Sequence, residues 1–136
     1  MNTEQKPRPL GGRKRRFIRV KPEKEHPIRV DLNGENFLDV TYAGDISEGG
    51  VGIHVPHEFE NCEIDKPVSM VIHLPEPCSY TFSATGRIRH LTGKIFGVTF
   101  VEKSGFDRRK FRKYVMHRIK SEPFFFRLRY FLGLAN

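Results

Sequence analysis

Residues 28–42 read IRVDLNGENFLDVTY, and the fold turns on this stretch. Apolar and polar side chains alternate from Ile28 to Leu32, a run of turn formers follows at residues 33–36, and the strand pattern resumes over residues 37–42. Successive side chains of a strand point to opposite faces, so alternation marks a half-buried strand, and turn formers between two such runs mark a hairpin. Working outward, Gly49-Gly50 leads into residues 51–55, where Val and Ile alternate with Gly and His. Strand patterns at residues 67–74, 79–91 and 94–101 complete the set, with Thr92-Gly93 as the turn between the last two. Six short strands with no helical period between them predict a mainly β domain, a small antiparallel barrel or sandwich.

The period changes after Ser104. Phe111, Tyr114, Val115 and Ile119 recur at helical spacing over residues 107–120, with basic residues on the opposite face. Ser104 or Asp107 is the expected cap, and Ser121 to Pro123 the stop. Arg108 and Arg112, four apart, read as a solvent-facing pair. Residues 123–132 contain Phe124, Phe125 and Phe126 and end at Gly133, which favours a short second helix, although residues 126–130 also alternate as a strand would. The expected organisation is a flexible basic arm (1–14) punctuated by Pro7, Pro9, Gly11 and Gly12, a barrel domain with its following helix (15–120), and a Phe-rich basic C-terminal segment (121–136).

A chain of 136 residues, 38% hydrophobic and 29% charged, has material for one modest core and is too apolar for a disordered chain. No apolar run approaches the roughly 18 residues that span a bilayer. The polar, basic first 16 residues lack the apolar stretch of an export signal, and Cys62 and Cys78 are too few for a disulfide scaffold. The expectation is a cytoplasmic domain with reduced thiols.

Residues 1–29 carry ten Lys/Arg against three acids, a net of +7. Residues 106–136 carry nine against two, again +7, whereas residues 30–105 carry five against eleven, a net of −6. A nucleic-acid reader should have a basic fold surface, and here the basic groups lie at the ends. Such termini suit a phosphate ligand, an acidic partner or a membrane surface.

Two constellations carry chemistry. Arg13-Lys14-Arg15-Arg16-Phe17-Ile18-Arg19 places five cations in seven residues where the arm meets the first strand, with Arg15 and Arg19 four apart and Arg16 between. An arginine fork binds phosphate bidentately and stacks on a purine face. Asp45-Ile46-Ser47-Glu48-Gly49-Gly50 sets Asp-x-Ser-x-x-Gly between two strands. A carboxylate accepts from guanine N1–H and N2–H, a Ser hydroxyl donates or accepts, and glycine lets a bulky ligand approach the backbone. Each alone has a plain reading, a solvated basic tail and an ordinary inter-strand turn.

Together the two motifs resemble the PilZ domain, a bacterial receptor for cyclic di-GMP. Val20 after the last arginine, Gly86-Arg87-Ile88-Arg89 and Phe96-Gly97-Val98-Thr99-Phe100 add to the resemblance. It implies a six-stranded antiparallel β-barrel with a C-terminal helix or helices. It also implies that the arm folds over the ligand, with Arg15, Arg16 and Arg19 on phosphates and purine faces, Asp45 on the guanine, Ser47 nearby, and Gly50 with Gly49 keeping the turn open. One dinucleotide or an intercalated pair fits this site, Lys14 being an additional contact for the pair.

Other candidates are weaker. His54, His57, Cys62, His73, Cys78 and His90 lack metal-ligand spacing, so no metal or other cofactor is expected. Ser47 and the cysteines lack a nucleophile elbow, and Glu58/Glu60 and Glu63/Asp65 read as a solvated acidic loop, so an enzyme is not expected. The leading function is a non-catalytic cyclic di-GMP receptor or adaptor that signals to a protein partner. The C-terminal segment would mediate partner binding or self-association, with peripheral contact to an anionic membrane as a further use. The competing classes are a general nucleic-acid-binding module using the basic termini and a ligand-independent adaptor acting through its C-terminal tail. Asp45 beside the arginines speaks against the former, because a carboxylate repels a phosphate backbone.

Overall fold

The computed structural model describes residues 17–35, 37–54, 63–92 and 95–121. Its elements are β1 (Arg29–Gly34), β2 (Phe37–Ser47), β3 (Gly50–His54), β4 (Pro67–Leu74), β5 (Tyr80–Thr92), β6 (Ile95–Ser104) and α1 (Arg108–Ser121). The strands close into an antiparallel barrel in the order β1-β2-β3-β6-β5-β4, which decides for a barrel over a sandwich.

Alternation in the sequence becomes burial in the barrel. Val68, Met70, Ile72 and Leu74 of β4 point inward and are buried, while Pro67 and Ser69 face out. Val30, Leu32, Ile53, Ile88 and Phe96 meet them in the core, each at most 1% exposed. Burying a side chain of this size contributes about 1.5–3 kcal/mol, and the core repeats that gain around the barrel. α1 adds Phe111, Tyr114, Val115 and Ile119 to the same core. The Phe82 ring meets those of Phe106 and Phe111 in T-shaped contacts, with centroids 5.0 and 6.4 Å away.

Two strands outrun their sequence signal. β2 continues past residue 42 to Ser47, because its register with β3 shifts between Ala43 and Asp45. A bulge of this kind re-aims the side chains that follow it and breaks the alternation that marks a strand in sequence. β6 likewise runs past Val101 to Ser104, paired with Ser83, Ala84 and Thr85 beyond a second irregularity at Thr85/Gly86. The start of α1 is capped by Asp107, whose Oδ1 accepts from the Lys110 amide at 3.2 Å, while Ser104 closes β6.

Buried Arg118 ties α1 to the chain entering the barrel. It is 4% exposed, and its Nε donates to the Lys21 carbonyl at 2.5 Å while Nη1 donates to Ser121 Oγ at 2.6 Å. The second apolar piece at residues 123–132 and the turn at Gly93 lie outside the described residues. Arg118→Met keeps the aliphatic stem but removes the donor from the Lys21 carbonyl. The expected cost is about 1–3 kcal/mol, read as a lower urea midpoint with an unchanged slope.

Candidate ligand-binding site

The arm reaches the Asp45 motif through a two-way backbone bridge. Val20 N donates to Ile46 O at 3.0 Å and Ile46 N to Val20 O at 2.9 Å, with both side chains fully buried. Antiparallel pairing of Val20 with Ile46 sets Arg19 across from Ser47, and its long side chain reaches diagonally to Asp45. Arg19 Nη1 donates to Asp45 Oδ1 at 2.7 Å, and both side chains keep about a fifth of their surface in solvent (23% and 22%). Two of the residues assigned to the ligand from sequence therefore meet across 26 positions of chain. Lys14, Arg15 and Arg16 lie outside the described residues.

Asp45 and Ser47 sit on the last turns of the β2 pleat, and only Glu48 and Gly49 connect β2 to β3. Ser47 Oγ accepts from the Gly49 amide at 3.1 Å, which fixes the hydroxyl at the turn. The glycines serve the protein itself more than the expected open space. A Cβ at Gly50 would stand 2.4 Å from the Val98 carbonyl, so this glycine permits the close approach of β3 to β6. A Cβ at Gly49 would stand 2.9 Å from the Phe17 ring, so the arm packs onto the turn there. Gly52, which the motif reading omitted, faces Asp45 in the β2–β3 register, and a Cβ on it would stand 2.6 Å from Asp45 Oδ1. Its signal in sequence is a glycine inside a strand, which often marks a close approach.

Glu48 is a second residue that sequence reasoning passed over. It is 8% exposed although charged. Arg108 Nε lies 3.1 Å and Arg112 Nε 3.8 Å from its Oε2, and neither is aligned for a hydrogen bond, so the attraction is coulombic. Arg108 and Arg112 are thus exposed, as expected, but they also converge on the motif turn. Lys103 Nζ donates to the Glu48 carbonyl at 2.6 Å and stands 4.1 Å from the Phe106 ring centroid. Burial pulls the Lys103 ammonium below its ordinary value, Glu48 opposes that shift and Arg108 adds to it. A cavity of about 200 Å³ lies where arm, turn and helix meet, bounded by Phe17, Ile18, Glu48, Phe111, Arg112 and Val115.

The remaining sequence candidates do not assemble. Among the described residues no group of three or more His, Cys, Asp or Glu is placed to hold a metal ion. His73 bonds Asp31 at 3.1 Å on the outside of the barrel, and Arg29 draws the Asp31 carboxyl below its usual range. Cys78 is a free thiol whose burial pushes its pKa up. Asp65 pairs with Arg89 and accepts Arg87 at its carbonyl, so it is more than a solvated loop acid. His57, Glu58, Glu60 and Cys62 lie outside the described residues.

A closed six-stranded barrel with the entering chain, Phe17 to Val20, held against the β2–β3 hairpin defines a recognisable class of small β domain. The sequence pattern of the PilZ domain matches residues 13–117, and the chain belongs to that family. An uncharacterized protein of Aquifex aeolicus is 34% identical, over 77% of this chain and 51% of its own. The fold is also that of the Bacillus subtilis inhibitor of motility (MotI/DgrA), with a TM-score of 0.68 at 14% identity over 82% of this chain and 54% of the other. It is likewise that of K. pneumonia MrkH, solved as a c-di-GMP complex, with a TM-score of 0.56 at 15% identity over 79% and 52%. The chain spans about half the length of each of these relatives.

Glu48→Gln removes the charge that supports the Lys103 ammonium and leaves the burial and Arg108 that depress it. Lys103 should then titrate at a lower pH than in the parent chain, as followed by NMR of its ε-methylene. A lysine depressed in the folded state adds stability above its unfolded value, and that stability is lost as pH falls through the folded value. The variant should widen this window.

Proposed function

We propose that this chain is a non-catalytic receptor for cyclic di-GMP, whose arginine-bearing arm closes over the bound dinucleotide and passes the signal to a downstream component. The observation that carries the reading is the Arg19–Asp45 pair at 2.7 Å, which seats a guanidinium of the arm beside a carboxylate of the β2–β3 hairpin. A guanine presents two N–H donors to a carboxylate, and the dinucleotide's phosphates and purine faces suit arginine forks. Arg15 and Arg16 would supply the grip on the phosphates from the arm, with Lys14 as a further contact, and Ser47 would bond beside Asp45. Membership of the PilZ family supports the same ligand, as does the likeness to a protein solved with c-di-GMP.

The free Asp45 already accepts from Arg19, so the ligand must share or replace that bond. Charge-assisted bonds contribute about 1.5–3 kcal/mol each, which makes the exchange a modest net gain per contact and puts the affinity into the several contacts made together. Ordering of an arm by a ligand that bridges it to the barrel is a recognised switching device. A general nucleic-acid module would spread its affinity over many phosphates and tolerate single arginine losses.

Isothermal titration with cyclic di-GMP, with GTP and a short DNA duplex as controls, tests the reading. Saturable binding of the dinucleotide alone is expected, with Arg15→Ala and Asp45→Ala each weakening it by about 10-fold or more. Unchanged affinity in both variants would sink the site assignment. Gly52→Ala is a finer probe, since its methyl group would displace the Asp45 carboxylate and little else. It should weaken binding while leaving the urea midpoint nearly unchanged.

A further inference from the structure

Among the described residues Glu48 is the only buried carboxylate. Its Oε2 accepts no hydrogen bond, although Arg108 and Arg112 stand near it. Buried acceptors are nearly always met, so an unmet one beside a cavity points to a ligand that donates. The turn that carries Glu48 is pinned on every side. Its own carbonyl accepts from Lys103 Nζ at 2.6 Å, the Gly49 carbonyl accepts from the Phe100 amide at 2.9 Å, and Ser47 Oγ accepts from the Gly49 amide at 3.1 Å. Glu48 is thereby held at the cavity of about 200 Å³ that Phe17, Ile18, Phe111, Arg112 and Val115 also line.

The lining selects among ligands. A phosphate would be repelled by Glu48, a cation would be repelled by Arg108, Arg112 and Lys103, and a purely apolar group would leave Oε2 unmet. What fits is a flat ring that donates N–H groups to a carboxylate and offers an acceptor to a guanidinium. Its size is that of a single base, because cavities that bury a drug-sized ligand run to about 300–1,000 Å³. We infer that this cavity takes a guanine base. Guanine N1–H and N2–H are the two donors that Glu48 accepts, O6 accepts from Arg112, and the ring stacks on Phe17. The base comes from the second half of a cyclic di-GMP whose first guanine lies at Asp45, or from a separate guanine mononucleotide. The first source rests on the receptor reading above. It follows from the spacing, since Asp45 and Glu48 stand three residues apart on one hairpin and one carboxylate serves one base. Adenine sets an acceptor beside its donor on the same edge, so Glu48 also sets a preference for guanine.

Isothermal titration of the full chain with cyclic di-GMP, cyclic GMP–AMP and GMP tests the assignment. The parent should hold cyclic di-GMP about 10-fold or more tighter than cyclic GMP–AMP, in which an adenine must take one of the two places. Glu48→Gln keeps the shape but sets one donor beside one acceptor, the pattern that matches adenine, so this preference should vanish. Arg112→Ala lies at an exposed helix position that alanine suits, so circular dichroism should be unchanged while cyclic di-GMP binds about 10-fold more weakly. GMP binding that Glu48→Gln weakens and Asp45→Ala leaves alone assigns the cavity to a mononucleotide. Loss of the preference without any GMP binding assigns it to the second base. The assignment is overturned if the parent holds both dinucleotides equally, or if both variants keep parent affinity and preference. Where Asp45→Ala still weakens cyclic di-GMP in that case, the receptor reading stands. A parent that ignores cyclic di-GMP yet holds GMP through Glu48 sinks the receptor reading alone, and no binding of any of the three sinks both.

Discussion

Two hydrogen bonds between Val20 and Ile46 hold the site together. They are ordinary amide–carbonyl bonds, each contributing about 1 kcal/mol net, but they lie among fully buried side chains where leaving them unmade would cost more. Their consequence is positional. Once Val20 is locked to Ile46, the Arg19 guanidinium comes within hydrogen-bond distance of Asp45, and Phe17 falls against Gly49. Arg118 secures the same stretch from the other side through the Lys21 carbonyl. The chain from Phe17 to Lys21 is thus anchored by backbone and helix.

The hairpin between β2 and β3 joins three parts of the molecule. Asp45 keeps about a fifth of its side-chain surface in solvent, Ser47 is buried at 4% exposed, and Glu48 turns toward α1, where Arg108 and Arg112 approach it. Lys103 reaches the same turn from the end of β6. Phe17 and Ile18 line the same small cavity as Phe111 and Val115 of α1, so the entering chain, the hairpin turn and the helix meet at one place.

Most of the fold was legible because each strand is half buried, and period-two alternation reports burial directly. The β4 run Val68, Met70, Ile72, Leu74 is the clearest case. Legibility failed where geometry departs from the pleat. Ala43-Gly44-Asp45 crosses a bulge, so the last five residues of β2 read as a turn. The Asp-x-Ser-x-x-Gly pattern and the arginine run were visible as chemistry, and the structure joins Arg19 to Asp45. The glycines were misread in emphasis, because a sequence does not say whether the space at Gly50 belongs to a ligand or to the Val98 carbonyl. Glu48, Lys103 and Arg118 act through partners far along the chain, and nothing local announces them.

β2 is longer than the strand it pairs with on its outer flank. β1 meets only residues 37–42, and over residues 43–47 the flank is covered by the Ile28 carbonyl, which accepts from the Ala43 amide at 2.9 Å, and by Val20. At this overhang of β2 the strand edge is covered by the chain at Val20. Uncovered strand edges recruit extended backbone from other chains. Unseating the chain at Val20 would expose an edge of that kind, so the two backbone bonds to Ile46 guard against strand addition at the same place where they seat Arg19.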